Sequence, residues 1–503
     1  MQWLAWLSIP VHSLPDSFLT AKTHSNCKKH HCYYSLQPRP LPTLMQHCNY
    51  GHHKPEQCNQ KPDSGAAHKP QNIIFRPLFW KSLRTAADSD KLESLALPQN
   101  SITPADFSWR VPEMATKKTA LRLAKRLDEV GFSDIVQIRN KVIELRTAGE
   151  IVHAFHGGEP FFETPEPIKY AMVRALVENK TKYAPSSGIV PLREALVEKL
   201  KTRNHLDVAL DDVLITAGGA HALYAAFQTV LDPGDDMLLF SPYWTPIRDM
   251  VTGAQARPLL VPTASARRNG LTRTLEQFST PHTKAIYYNT PQNPSGAVFS
   301  REEAEEVAAF ATKHNLIVIA DEAYEDLVYE GDHVSIASLP GMAERTISTY
   351  TFSKSYGMTG WRVGYVVAKE PFITGLRKLV LYSSNGVSTP SQWAALEALA
   401  TPESFLAKRR EEYRERRDLL VNSLNELGLA CEVPQGAFYA LPNVARIHKD
   451  SRKAAAILLE KAHVATIPGV VFGAQGEGHV RFGYSVPKPA IEAGIEALAK
   501  FLK

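Results

Sequence analysis

From residue 212 onward, short apolar runs and longer mixed runs alternate along the chain. "VLIT" (213–216), "MLLF" (237–240), "AIYY" (285–288), "LIVIA" (316–320) and "ISTYTF" (347–352) are the short runs. They are rich in β-branched and aromatic residues and apolar at nearly every position. A strand with one wet face alternates apolar and polar; continuous apolarity predicts strands covered on both faces. The stretches between them, such as "HALYAAFQTVL", carry helical spacing. Strand and helix in alternation predict an α/β fold with a mainly parallel central sheet flanked by helices. Each strand runs directly into a polar or glycine-bearing cluster: "AGGA", "SPYW", "NTPQNPSG", "DEAYEDL" and "SKSYGMTGWR". In parallel sheets ligands sit at the strands' carboxyl ends, so these five clusters are expected to converge.

The flanks read differently. Residues 120–130 and 134–149 have helical spacing, "IVHAF" (151–155) reads as a short strand, and helices return at 165–180 and after the broken loop "TKYAPSSGIVP". Past about 390, two long charged helices (393–428) precede "GAFYALPNV", another helix, "VRFGYS" and a closing helix. We expect a smaller α+β domain built from 114–165 and 391–503, around a large α/β domain over 166–390.

Composition changes the picture only at the amino end. Residues 1–113 hold twelve of 34 prolines and four of seven tryptophans, but two of 28 glycines, and no period persists there. That segment reads as a disordered or non-native extension. Four of the five cysteines lie in it (Cys27, Cys32, Cys48, Cys58), with no CxxC pair to suggest a zinc site. "MQWLAWLSIP" lacks the basic start of a targeting peptide, while Met114 followed by "ATKK" resembles an ordinary protein start. A net charge of +5 on 503 residues argues for neither nucleic acid nor membrane as partner, and no metal site is expected. Cys431 alone remains beyond Met114, which fits a reducing, cytoplasmic setting.

The clusters contain the means for chemistry, though each has a bland alternative. Lys354 follows an apolar strand; most lysines are solvated charges, but one desolvated at a sheet's mouth becomes a nucleophilic amine able to condense with an aldehyde. Asp321 directly follows "LIVIA"; it can cap a helix, or hold a proton on a cofactor's ring nitrogen, with Tyr324 in reach of the same ring. "NPSG" (293–296) can be a simple turn, or Asn293 can donate to a ring hydroxyl. "AGGA" offers backbone N–H groups at a helix start for a phosphate, with Arg362, Thr351 and Ser353 to complete the pocket. Arg481 in "VRFGYS" can clamp a carboxylate.

Their order and spacing carry a resemblance. The SKxxxxxxxR stretch followed by VGY, joined to the upstream Asn-Pro-x-Gly and Asp-x-x-Tyr, resembles the class I/II aminotransferases over about 114–503. These are pyridoxal-phosphate enzymes of fold type I, and the bacterial-type aspartate branch is the most similar. The resemblance implies that Lys354 forms a Schiff base with the cofactor and shuttles a proton. It implies that Asp321 pairs with the ring nitrogen, and that Tyr324 and Asn293 bond the ring oxygen. It implies that Gly219, Ala220, Thr351, Ser353 and Arg362 hold the phosphate and that Trp244 stacks on the ring. Arg481, Asn293 and the backbone of Gly158 would take the α-carboxylate. Tyr183 would reach a neighbour's phosphate in a homodimer with shared sites. The implied reaction moves an amino group between an L-amino acid and a 2-oxo acid, 2-oxoglutarate being the expected acceptor.

One departure bears on substrate. Aspartate-specific members carry a lysine after the paired glycines; here the position is Ala220, followed by His221. Either His221 or His156 substitutes, or the donor is neutral, as Phe161, Phe162 and Trp244 would suit. A carbon–sulfur lyase on the same scaffold is the alternative enzyme. A transcription regulator would need a winged helix in 1–113, where no such periodicity occurs.

Overall fold

The computed structural model describes residues 121–131 and 134–503; the expected extension over 1–113 lies outside the described residues. Eight strands come first: β1 (His153–Ala154), β2 (Val213–Thr216), β3 (Asp236–Ser241), β4 (Arg257–Pro262), β5 (Thr283–Asn289), β6 (Ile317–Asp321), β7 (Thr346–Thr351) and β8 (Gly364–Val367). All but β1 form one seven-stranded sheet in the order β2-β8-β7-β6-β5-β3-β4. The β3/β4, β3/β5, β5/β6 and β6/β7 pairs are parallel, while β8 runs antiparallel to both its neighbours.

The continuous apolarity of the strands has the expected cause. Successive side chains point to opposite faces. In β3, Met237 and Leu239 enter a core shared with the helices Gly219–Val230 and Phe372–Ser384; Leu238 and Phe240 enter a second core shared with Leu271–Phe278 and Arg301–Lys313. In β5, Ala285 and Tyr287 divide from Ile286 and Tyr288 in the same way. Both faces of the sheet are therefore dry. The helix Arg301–Lys313 begins at a reciprocal cap: Ser300 Oγ accepts from the Glu303 N–H at 3.2 Å, and Glu303 Oε2 accepts from the Ser300 N–H at 2.9 Å.

A further core gathers around the long helix Glu403–Glu426, with Tyr413, Leu420 and Leu424 packed on Phe438, Phe482, Ile491 and Leu498. Here β9 (Tyr439–Ala440), β11 (Ile467–Pro468) and β12 (Val480–Gly483) make a small antiparallel sheet, while β10 (Val464–Ala465) pairs in parallel with β1. The "IVHAF" strand is thus reduced to two paired residues. The helix Asp134–Thr147 packs Ile138, Val142 and Leu145 on Val152 and Ala465. The expected helix over 120–130 is, among the described residues, one 3₁₀ turn at Lys125–Leu127. Leu121, Leu123 and Leu127 are all exposed, and so short a helix has little stability without a packed face. No helix of the described residues is long and apolar enough to cross a membrane.

Candidate active site

Adjacent strands end level, and this places the chemistry. In the ladder Asn289 sits beside Asp321, Asp321 beside Thr349, and Thr351 opposite Gly364. Asp321 is the last residue of β6. The residues after it form a turn rather than the helix a capping role would need. Its carboxyl is buried, which pushes its pKa up to about 6; hydrogen bonds from Tyr287 Oη (2.6 Å) and the Ala323 N–H (3.2 Å) partly offset burial.

Lys354 lies just past the end of β7. Its Nζ donates to the Gly158 carbonyl at 2.7 Å and stands 5.9 Å and 5.7 Å from the ring centres of Tyr324 and Phe438. Burial disfavours the ammonium and brings its pKa down to about 8; Glu159 opposes this, and Arg481 and Arg362 add to it. One surrounding therefore pushes an amine down and a carboxyl up, toward one another.

The "AGGA" cluster forms a corner of the same site. Gly218, at φ +85°, precedes the helix Gly219–Val230, whose first N–H groups have no carbonyl partner within the helix. A Cβ on Gly218 would sit 2.7 Å from Arg362 Nη2. Only glycine combines this backbone with so close an approach. Arg362, itself left-handed at φ 56°, donates to the carbonyls of Thr359 (2.8 Å) and Ala217 (3.2 Å). Thr351 Oγ1 donates to Ser353 Oγ at 2.9 Å. A helix start, a guanidinium and two hydroxyls together suit a multiply charged anion.

Across the cavity, β12 presents Arg481, which is 2% exposed. Its Nη1 donates to Asn293 Oδ1 and its Nη2 to the His156 carbonyl, each at 3.0 Å. Its buried Nε has no partner among the described residues. A buried cation with an unmatched N–H is costly unless an anion completes it. The guanidinium lies 4.4 Å from the ring centre of Tyr439, whose hydroxyl is 2.9 Å from that of Tyr324.

These groups line one cavity of 620 Å³. Of the residues singled out in the sequence, Gly158, Gly219, Ala220, Trp244, Asn293, Asp321, Tyr324, Thr351, Ser353, Lys354, Arg362 and Arg481 all line it. Tyr183 does not; it is 88% exposed on the surface. Phe161 and Phe162 also lie outside the lining, packed against Arg416 and Phe405, so they furnish no aromatic substrate wall. His221 is absent from the lining too. Sequence reasoning overlooked Asn289, Tyr439 and Arg139, which do line it, and Tyr287 behind Asp321. The tyrosines lie in apolar runs where a core residue and a site residue look alike. Arg139 is one basic residue among several on its helix.

An α/β sheet that sets a desolvated lysine, a buried acid and two anion-binding corners at its carboxyl edge defines a class: enzymes that work on amino acids through an aldehyde cofactor. Comparison makes the class specific. The family model "Aminotransferase class I and II" matches residues 153–498, and the chain belongs to that family, whose members use pyridoxal phosphate. It is an aminotransferase. It is 40% identical over 388 residues to the aspartate/prephenate aminotransferase of Thermus thermophilus, covering 76% of this chain and 98% of that one. It is 37% identical over 388 residues to aromatic-amino-acid aminotransferase 2 of Thermococcus litoralis, covering 76% and 99%. The solved structure of the Thermus thermophilus aspartate aminotransferase with maleate superposes with a TM-score of 0.72 at 39% identity, covering 76% of this chain and all of that one.

Proposed function

We propose that this aminotransferase works with pyridoxal phosphate held between Lys354 and Asp321, and that it passes the amino group of an L-amino acid to 2-oxoglutarate. One observation carries the reading: Lys354 and Asp321 face one cavity, with the amine drawn down to about 8 and the carboxyl raised to about 6 by the same burial. The cofactor's fit is supported by the phosphate-sized corner that a Cβ on Gly218 would obstruct, closed by Arg362, Thr351 and Ser353.

When bound, pyridoxal phosphate supplies an aldehyde and an aromatic ring that accepts the electron pair left on the substrate's α-carbon. Everything else falls to the chain. Arg362, the N–H groups of Gly219 and Ala220, Thr351 and Ser353 hold the phosphate. Asp321 keeps a proton on the ring nitrogen; Tyr287 and the Ala323 N–H hold that carboxylate in place. Asn293 and Tyr324 hydrogen-bond the ring oxygen, and Trp244 gives the ring an aromatic wall. Arg481 takes the α-carboxylate and so fixes which substrate bond faces Lys354. Lys354, half uncharged near pH 8, removes the α-proton and would return it to the carbon that carried the cofactor's aldehyde. A homodimer, with Tyr183 completing the neighbour's phosphate site, is part of this proposal.

The test is a half-reaction screen. The purified protein, loaded with cofactor, is mixed with each amino acid in turn, and the shift of the cofactor's absorbance and the release of 2-oxo acid are followed. Conversion by at least one donor, reversed on adding 2-oxoglutarate, is expected. No spectral response to any amino acid would overturn the reading.

A further inference from the structure

We infer that Tyr439 is a positioning residue for the reaction: its hydroxyl fixes the direction in which Tyr324 donates, and its ring seats Arg481. This deepens the function proposed above and rests on it.

The strand register puts Tyr439 between the two ends of the site. In the antiparallel pair of β9 and β12, Tyr439 stands opposite Gly483. Arg481 is two residues along from Gly483, so its side chain leaves the same face as that of Tyr439. The guanidinium lies 4.4 Å from the Tyr439 ring centre. The Tyr439 hydroxyl lies 2.9 Å from that of Tyr324, and a Cβ on Gly158 would stand 2.9 Å from it. Gly158 is the residue whose carbonyl accepts from Lys354 Nζ. One side chain therefore lies against the arginine, the second tyrosine and the segment that holds the lysine.

Counting protons gives the direction. Tyr324 and Tyr439 are 5% and 2% exposed, and burial above all pushes both pKa values up. Both are neutral near pH 7, with one O–H each. Among the described residues, each hydroxyl has only the other as a hydrogen-bond partner. One proton serves that contact and one is left for the cavity, which both residues line. If Tyr324 donates to the cofactor's ring oxygen, its proton is committed, so Tyr439 must donate to Tyr324. That donation polarises the Tyr324 O–H and strengthens it in turn. The charged groups facing the pair are Arg481, Lys354 and Asp321. Arg481 favours the same direction, because a cation over a phenol ring makes its hydroxyl a better donor; its charge works against burial at Tyr439. His156, whose carbonyl accepts from Arg481 Nη2, adds no charge. Burial first, and then Arg146, Arg481 and Arg139, bring its pKa down to about 4, so it also cannot replace a substrate-binding lysine near pH 7.

The test reads absorbance rather than turnover. Cofactor attached to Lys354 changes absorbance as the linkage gains a proton, and a well-donated ring oxygen lowers the pH midpoint. Tyr439→Phe keeps the ring and removes the hydroxyl. Its midpoint should rise by about 0.4 to 1 pH unit, the worth of one hydrogen bond. Tyr324→Phe should raise the midpoint too, and adding Tyr439→Phe to it should raise it no further. The second readout is butyrate binding, followed by the same absorbance. Tyr439→Phe should bind butyrate within about twofold of wild type, since the ring beside Arg481 remains, whereas Tyr439→Leu should weaken it about 3- to 30-fold. An unmoved midpoint in Tyr439→Phe overturns the inference, and so does an equal rise with and without the Tyr324 hydroxyl. Wild-type affinity for butyrate in Tyr439→Leu overturns it as well. These results leave the aminotransferase reading standing. A wild-type protein whose cofactor borohydride fails to fix to Lys354 removes both.

Discussion

At the residue scale, the depressed pKa of Lys354 has a direct consequence in the free protein. An amine reacts only when uncharged. With its pKa near 8 rather than the ordinary 10.4 or so, the uncharged fraction of Lys354 rises through pH 8 and is nearly complete two units above it. Labelling by an amine-selective reagent, read by peptide mass spectrometry over a pH series, should give a midpoint close to 8 for Lys354. A midpoint above 10 at Lys354 would remove the desolvation argument. Asp321→Asn keeps the shape and loses the acid; transamination should fall roughly 10²- to 10⁴-fold with little change in thermal stability, checked by steady-state kinetics beside calorimetry. Most of these groups were legible in the sequence because each stands where an apolar run stops: Asp321 after "LIVIA", Lys354 after "ISTYTF". Tyr287 and Tyr439 were not, since a tyrosine inside an apolar run is usually core, and only the packed structure reveals which hydroxyls face a site. Phe161 and Phe162 erred the other way. Their place in a site-flanking loop said nothing of their direction, and they turn toward Arg416 and Phe405 instead.

At the element scale, the turn between β2 and the helix Gly219–Val230 depends on two glycines. Gly218 holds φ +85°, and an added Cβ would meet Arg362 Nη2 at 2.7 Å. Gly364 on β8 backs the same corner, where an added Cβ would meet Tyr350 O at 2.6 Å and Gly218 C at 2.8 Å. The two differ in what must give way. At Gly218 the obstacle is the end of a long side chain, so Gly218→Ala should fold at a cost of about 1–3 kcal/mol and bind the cofactor's phosphate more weakly as Arg362 is displaced. At Gly364 the obstacle is backbone on both sides, so Gly364→Ala should destabilise more. Denaturant melts of the two variants, with a cofactor titration of Gly218→Ala, check the order. Equal destabilisation would contradict the contact geometry. Strand and helix order was readable here because burial of both sheet faces imposes a continuous apolar run, a signal no single substitution erases. The helical spacing over 120–130 misled for the complementary reason: periodicity records a capacity to pack, and Leu121, Leu123 and Leu127 all stay exposed.

At the scale of the whole molecule, we propose that the large domain spans 166–390 and that 114–165 joins 391–503 in the smaller one. The cores bear on this division: Phe155 joins the cluster built on the helix Glu403–Glu426, while the sheet strands fill three others, one of which also takes in Ala394, Ala395, Ala398 and Leu406 from beyond 390. The surface then raises the question of assembly. The helix Glu166–Val177 buries Ile168, Ala171 and Ala175 on one face. Its other face carries Tyr170, Val173 and Val177, exposed at 65%, 54% and 75%, again at spacings of three and four. A helix apolar on two faces is made to be covered twice. Tyr183, which follows it in the chain, is 88% exposed, although the family resemblance gives it a phosphate to bind. Both features are accounted for if a second copy covers this face and Tyr183 enters that copy's site. Light scattering should therefore give twice the 55.8 kDa chain mass. Val173→Glu with Val177→Glu should shift the protein toward monomer and lower activity with it. Tyr183→Phe should leave the dimer intact and raise the concentration of cofactor needed for half-saturation. A monomer with full activity at nanomolar concentration would refute shared sites, because a subunit alone could then hold the phosphate without help.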